Sequence, residues 1–188
     1  MSKGRLEAFS DGVIAIIITI MVLELKVPHE ATLAALIPVF PVFLSYILSF
    51  VILGIYWNNH HHLLQAIKQV DGRVLWANLH LLFWLSLIPF VTGWVGQNHF
   101  AAWPVALYGV VQSFAAVAYF ILTQALIFLH GRDSALATAI GRDFKGKAST
   151  VVFFVAVPIA FLNSWFAFIL YVMVAVIWLV PDRRIEKT

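Results

Sequence analysis

The chain has 188 residues, of which 62% are hydrophobic and only 11% are charged (12 Lys and Arg against 9 Asp and Glu). An ordinary soluble domain carries about 45–50% apolar and about 25% charged residues. A globule of this size would therefore expose a large, aggregation-prone apolar surface, which excludes a soluble domain, and a disordered chain with it. A net charge of +3 from scattered basic residues argues against nucleic-acid binding. The lack of cysteine removes disulfide frameworks, cysteine metal sites and thiol catalysis. What remains is an all-α polytopic membrane protein.

Met1–Asp11 carries charges of both signs, and no small-residue cleavage site follows the first apolar run, so nothing resembles a cleaved signal peptide. A span needs about 20 mostly apolar residues. The first run is Gly12–Leu23, bounded by Asp11 and Glu24. The second covers about residues 34–57, the third 74–95 and the fourth 103–129. The fifth, Val151–Val180, is 30 residues long and is interrupted at Leu162-Asn163-Ser164. It reads as a hairpin of two short helices, 149–162 and 164–180. With the first helix drawn out to about 8–25, the prediction is one six-span transmembrane domain over residues 1–188.

Six spans put the N-terminus, the 58–73 and 130–148 loops and the C-terminus on one side. That side collects Lys3, Arg5, Lys68, Arg73, Arg132, Arg142, Lys145, Lys147, Arg183, Arg184 and Lys187, and the other collects Lys26 alone. The bias makes both termini cytoplasmic. Reading 151–180 as one span would put the basic residues of 132–147 and the basic tail on opposite sides. The 130–148 loop repeats Gly-Arg-Asp and reads as a solvated turn. Pro38, Pro41, Pro89, Pro104 and Pro158 lie in or at the ends of spans, where neighbouring helices satisfy freed carbonyls. Trp57, Trp94, Trp103 and Trp178 sit near proposed span ends, as an interfacial belt expects.

The first helix is anomalous. Its 12 uncharged residues reach only about 18 Å, so it crosses only by continuing through Asp11 or Glu24. A carboxylate inside a span normally faces protein or water. At 100° per residue, with Ile16 at zero, Ile20 falls at about 40°, Leu23 at about −20° and Thr19 at about −60°. These residues form a narrow front stripe. Ser10, at about 120°, and Asp11, at about −140°, lie on the back. The stripe alone is equally a lipid contact or a packing seam. The polar back needs partners inside the protein, and the candidates are Asn78 and His80 of the third span and Tyr56-Trp57-Asn58-Asn59-His60 at the end of the second. A cluster of Arg5, Ser10, Asp11, Asn78 and His80 would satisfy every member. His60-His61-His62 looks like a metal tract, but consecutive helical residues diverge by 100°, so no metal site is expected. Enzyme signatures (G-x-S-x-G, H-E-x-x-H, Walker and G-x-G-x-x-G loops) are absent, and the chain reads as a non-enzyme.

The segment Arg5-Leu-Glu-Ala-Phe9-Ser10-Asp11 resembles the R-x-x-x-F-S-D signature that opens the first helix of the transmembrane protein 175 potassium channel family. The resemblance continues through Trp57-Asn-Asn-His60, Asp71, Trp76-Ala-Asn78-Leu and Leu87-Ile-Pro89-Phe90, and beyond them only in span pattern. It implies a potassium-preferring cation channel without a T-V-G-Y-G filter, assembled in lipid as a homotetramer around a pore lined by the first helices. It also implies that Ile16, Ile20 and Leu23 form the pore constriction, with Thr19 adding a ring of hydroxyls. Arg5, Phe9, Ser10 and Asp11, against Asn78 and His80, would brace that helix. The permeant potassium ions move down their own gradient, so no cofactor is expected, and the expected location is the plasma (inner) membrane of a prokaryote. The alternative is a proton-coupled secondary transporter using Asp11 and His80. Such transporters are commonly built from internal repeats, and residues 1–95 and 96–188 show no convincing similarity.

Overall fold

The structure, a computed structural model, describes residues 2–131, 133–141 and 143–179. The expectations that fall on Arg132, Arg142, Val180, Arg183, Arg184 and Lys187 lie outside the described residues. The described residues form eight α-helices and one 3-10 segment, with no strand among them. In chain order these are α1 (Lys3–Val22), a 3-10 turn (Leu33–Val39), α2 (Phe40–Gln65), α3 (Gly72–Ser86), α4 (Ile88–Gln97), α5 (Ala102–His130), α6 (Ala135–Ile140), α7 (Phe144–Leu162) and α8 (Ser164–Leu179).

Local chemistry sets these boundaries. Pro41 sits in the first turn of α2, where its missing N–H would have no intrahelical partner in any case. Asp71 caps α3 by accepting from Val74 N at 2.9 Å. Pro89 cannot donate to the carbonyl four residues back, and the third apolar run accordingly divides at Leu87 into α3 and α4. Asn163 ends α7 in an extended conformation, and its Oδ1 accepts from Phe166 N at 3.0 Å, opening α8. The interruption at Leu162-Asn163-Ser164 is thus a helix–helix corner.

Three expectations shift. The first helix covers Lys3–Val22 rather than about 8–25, so Leu23 and Glu24 fall just beyond it. The second helix does not stop at Trp57 but runs eight residues further, so Asn58, Asn59 and the three histidines are helical rather than part of a loop. Hydropathy falls there because the helix turns polar, while its backbone hydrogen bonds continue. The 130–148 connection also holds the short α6, and α7 begins inside it at Phe144.

With α3 and α4 taken as one continuous run, the long helices alternate in direction. At one end of the bundle Lys3 Nζ donates to the Gln65 carbonyl, the Lys68 and Gln69 N–H groups donate to His130 Nε2, and Trp178 Nε1 donates to Ser149 Oγ. At the other end Gln97 Nε2 donates to Glu24, and Phe100 packs against Trp165. The described basic residues Lys3, Arg5, Lys68, Arg73, Lys145 and Lys147 fall at the first end, and Lys26 lies in the connection at the second. Four stretches are long and apolar enough to cross a membrane: Leu33–Gln65, Gly72–Gln97, Ala102–His130 and Phe144–Leu162. Helix α8 is shorter, at 16 residues, and α1 has 20 residues that include Lys3, Arg5, Glu7 and Asp11.

The interior uses small and hydroxylated residues, as helices packed in lipid do. Ala115 and Ala118 of α5 and Ala156 and Ala160 of α7 are fully buried where these helices pack. Ser45 Oγ donates to the Thr92 carbonyl at 3.0 Å, and Ser49 Oγ bonds both Thr92 Oγ1 (2.6 Å) and Tyr108 Oη (3.0 Å), stitching α2, α4 and α5 together. The α2–α4 approach depends on Gly96, where a Cβ would run into the Val42 backbone. Gly96→Ala should therefore cost about 1–3 kcal/mol of overpacking. The cost should be read as a lower melting temperature of the detergent-purified protein, whereas Gly54→Ala, with open space around it, should leave the melt unchanged.

Candidate functional site

Helix α1 has two unlike faces. Leu6, Ser10, Ile14, Ile17 and Met21 are buried. They cluster at about 80–160° on the wheel that puts Ile16 at zero. The opposite side is uncovered: Ile16 is 58% exposed, Ile20 46% and Leu23 75%. Thr19 is exposed beside them, and Gly12 continues the same line with nothing within 4 Å of where its Cβ would be. The stripe derived from periodicity is thus a surface that its own chain leaves unpartnered.

The buried face is held by a directional relay. His60 Nε2 donates to Asn78 Oδ1 at 2.7 Å, Asn78 Nδ2 donates to Ser10 Oγ at 2.9 Å, and Ser10 Oγ donates to the Leu6 carbonyl at 2.9 Å. Because Asn78 Oδ1 can only accept, His60 carries its proton on Nε2. All three side chains are buried, and His60 Nδ1 has no partner. The relay joins α2, α3 and α1 inside the buried interior, toward the first end of the bundle.

Four further contacts fasten α1 along its length. Lys3 Nζ meets the Gln65 carbonyl at 3.2 Å, Glu7 pairs with His61 Nδ1 at 3.1 Å, Trp57 Nε1 donates to Asp11 Oδ1 at 3.0 Å, and just beyond the helix Glu24 accepts from Gln97 at 3.0 Å. The Glu24 carboxylate folds over Gly93, where a Cβ would stand 2.7 Å from its oxygen.

Of the residues expected to brace the helix, the structure brings Ser10 and Asn78 into direct contact and gives Asp11 a tryptophan partner. His80 stands apart, accepting from Trp84 Nε1 within α3 at 3.0 Å, and His60 occupies the place at Asn78. Arg5 and Phe9 point to the exposed side. Phe9 is 50% exposed, and Arg5 has no hydrogen bond or ion pair among the described residues. Trp57 is not an end marker but a mid-helix donor to Asp11. Trp57 and His60, two of the candidates offered for the polar back, do face it, while the Glu7–His61 pair was not expected, although a signal for it was present. Trp57, His60 and His61 stand at i, i+3 and i+4 on one helix face, facing Glu7, Ser10 and Asp11 at the same spacing. The histidine trio splits as its helical geometry requires: His60 goes to Asn78, His61 to Glu7, and no group of metal-binding side chains converges among the described residues.

The exposed stripe carries no ionisable group from Gly12 to Leu23. Thr19 Oγ1 donates to the Ile16 carbonyl at 2.9 Å, which leaves its lone pairs facing outward, where they can accept from or coordinate a cation. The stripe is thus an apolar surface with one outward-facing hydroxyl oxygen per chain.

Breaking the relay leaves buried polar groups unsatisfied. Asn78→Ala should lower stability by about 1–3 kcal/mol, because His60 and Ser10 both lose their partner. His80→Ala, which removes one bond inside a single helix, should cost less. Thermal melts of the two variants side by side check the order, and equal losses would refute the assignment of His60 rather than His80 to the relay.

The chain resembles known channels over its whole length. Residues 5–89 match the family model described as "Endosomal/lysosomal potassium channel TMEM175". A protein of Chryseobacterium sp. named as a potassium channel is 55% identical over 188 residues, which are 100% of this chain and 98% of that protein. Another of the same description, from Streptomyces collinus, is 35% identical over 128 residues, 62% of this chain and 61% of its own length. The crystal structure of a lysosomal potassium-selective channel TMEM175 homologue from Chamaesiphon minutus superposes with a TM-score of 0.84 at 25% identity, covering 96% of this chain and 98% of that one. This similarity from end to end places the chain in the TMEM175 potassium channel family.

Proposed function

We propose that this chain is a potassium-permeable channel whose conduction path is lined by the exposed face of α1. Four copies assemble around a central axis, each with six membrane spans, in the plasma membrane of a prokaryote with both termini on the cytoplasmic side. Ile16, Ile20 and Leu23 from the four chains form successive apolar rings, and Thr19 presents acceptor oxygens between them. The observation that carries this reading is the division of α1: one face is fastened to α2, α3 and α4, and the other is apolar and uncovered by its own chain.

An apolar ring obstructs ions in two ways. It dewets when narrow, and when wetted it strips part of the hydration shell. Potassium holds its water less tightly than sodium and crosses such a ring at lower cost. The gradient and membrane potential supply the driving force, so the chain needs no cofactor. Arg5 lies on the same side of α1 as the stripe, at the end nearer the cytoplasm. A proton-coupled transporter built on Asp11 and His80 is not favoured, since these side chains take separate partners in Trp57 and Trp84.

Ile16→Asn should raise single-channel conductance and weaken potassium-over-sodium selectivity. Lowering the barrier by about 1 kcal/mol corresponds to about fivefold in rate. Planar-bilayer recordings with a potassium–sodium gradient measure both quantities, and an unchanged conductance with an unchanged reversal potential would remove Ile16 from the pore.

A further inference from the structure

A second feature of the bundle lies away from α1. A cavity of about 330 Å³ opens between α2, α5, α7 and α8, large enough for an organic ligand. Its lining changes character along its length. Ile52, Ile55, Phe153 and Val174 make an apolar interior, while Asn59, Asp143, Lys147 and Thr150 gather at the end where α7 begins. The wall includes Val151 and Phe120, which are 60% and 42% exposed, so the cavity is open on the apolar flank of the bundle.

Three polar side chains of this lining have spare capacity. The Tyr56 hydroxyl, the Asn59 side-chain amide and the Lys147 ammonium make no hydrogen bond or ion pair among the described residues. Their neighbours are already engaged. Ser149 Oγ donates to the Lys145 carbonyl and accepts from Trp178 Nε1, Thr150 Oγ1 donates to the Gly146 carbonyl, and Asp143 caps α7 by accepting from Gly146 N. The three uncommitted groups run from the interior (Tyr56) to the rim (Lys147).

We infer that this cavity binds a glycerophospholipid, with an acyl chain along the apolar interior and the phosphate at Lys147. The polarity gradient matches an amphiphile rather than a uniformly polar solute. The flank opening faces the surface that the bilayer covers, and the basic rim lies at the end of the bundle that the loop charges assign to the cytoplasmic leaflet, where anionic lipids meet basic pockets between helices. Asp143 on the same rim disfavours a highly charged headgroup and suits one that carries a single phosphate. The inference rests on the membrane setting of the helices and not on conduction.

Its test reads lipid, not current. Full-length protein in nanodiscs of phosphatidylglycerol and phosphatidylethanolamine, doped with a phosphatidylglycerol bearing a photoactivatable acyl chain, is irradiated and digested, and the adducts are mapped by mass spectrometry. Adducts on the peptides that carry Ile55, Phe120 or Val151 are expected in the wild type, and Lys147→Gln should lower their yield about fivefold while elution on size exclusion stays unchanged. The wild-type map stands even where the variant fails to fold. Adducts confined to the outer faces of α7 and α8, a yield indifferent to Lys147→Gln, full competition by free glycerol phosphate, or chain-to-chain cross-links from the same positions would each overturn the assignment.

Discussion

The rest of the structure depends on the hydrogen-bond relay from His60 through Asn78 and Ser10 to the Leu6 carbonyl. In a bundle surrounded by hydrocarbon, helices gain little from apolar contact with one another, since lipid offers the same contact. Direction and register must come from polar groups that find satisfaction in only one arrangement. The relay does this for α1, α2 and α3 at once, because each member donates forward to the next and an axial slip of one helix turn would leave buried donors and acceptors unmatched. The Ser45–Thr92–Ser49–Tyr108 set plays the same part for α2, α4 and α5. Between them the two sets fix the scaffold on which the first helix presents its open face.

That helix serves two ends that a soluble protein would give to separate elements. Its back is a structural seam, and its front is the apolar surface proposed to line the conduction path. The helical period keeps them apart, so Ile16 and Leu23 are mostly uncovered by their own chain, whereas Ser10 and Ile14 are buried in it. Such separation lets the character of the open face vary without loss of the fold.

Much of this arrangement was legible in the residues. The apolar runs located the third, fourth and last helical regions to within about two residues, and Leu162-Asn163-Ser164 marked the corner between α7 and α8 because a lone amide can cap a new helix. The α1 stripe followed from the 100° period alone. What stayed hidden has a common cause. Hydropathy falls after Trp57, although α2 keeps its backbone hydrogen bonds to Gln65, so a scan for apolar runs ends the helix too soon and moves His60 and His61 off the face that meets α1. Two imidazoles were then candidates, His60 at the end of the second run and His80 inside the third, and placement within a span favoured His80, whereas His60 takes the place at Asn78. The division at Leu87 was equally concealed, since α3 and α4 together read as one apolar span and Pro89 is tolerated in such a span. Partner identity across helices is a three-dimensional property that one-dimensional periodicity does not carry.

The fastening of α1 at successive levels, from Lys3 through Glu7, Ser10 and Asp11 to Glu24, has a mechanical consequence. A helix tied to three others of its own chain cannot swing by itself. In the proposed assembly, widening between copies would have to move α1 together with α2, α3 and α4, making the whole subunit the opening unit. Each contact between neighbouring chains would then feel the same displacement, and opening would be concerted, with partly open intermediates disfavoured by the stiffness of each subunit rather than by any latch at the axis.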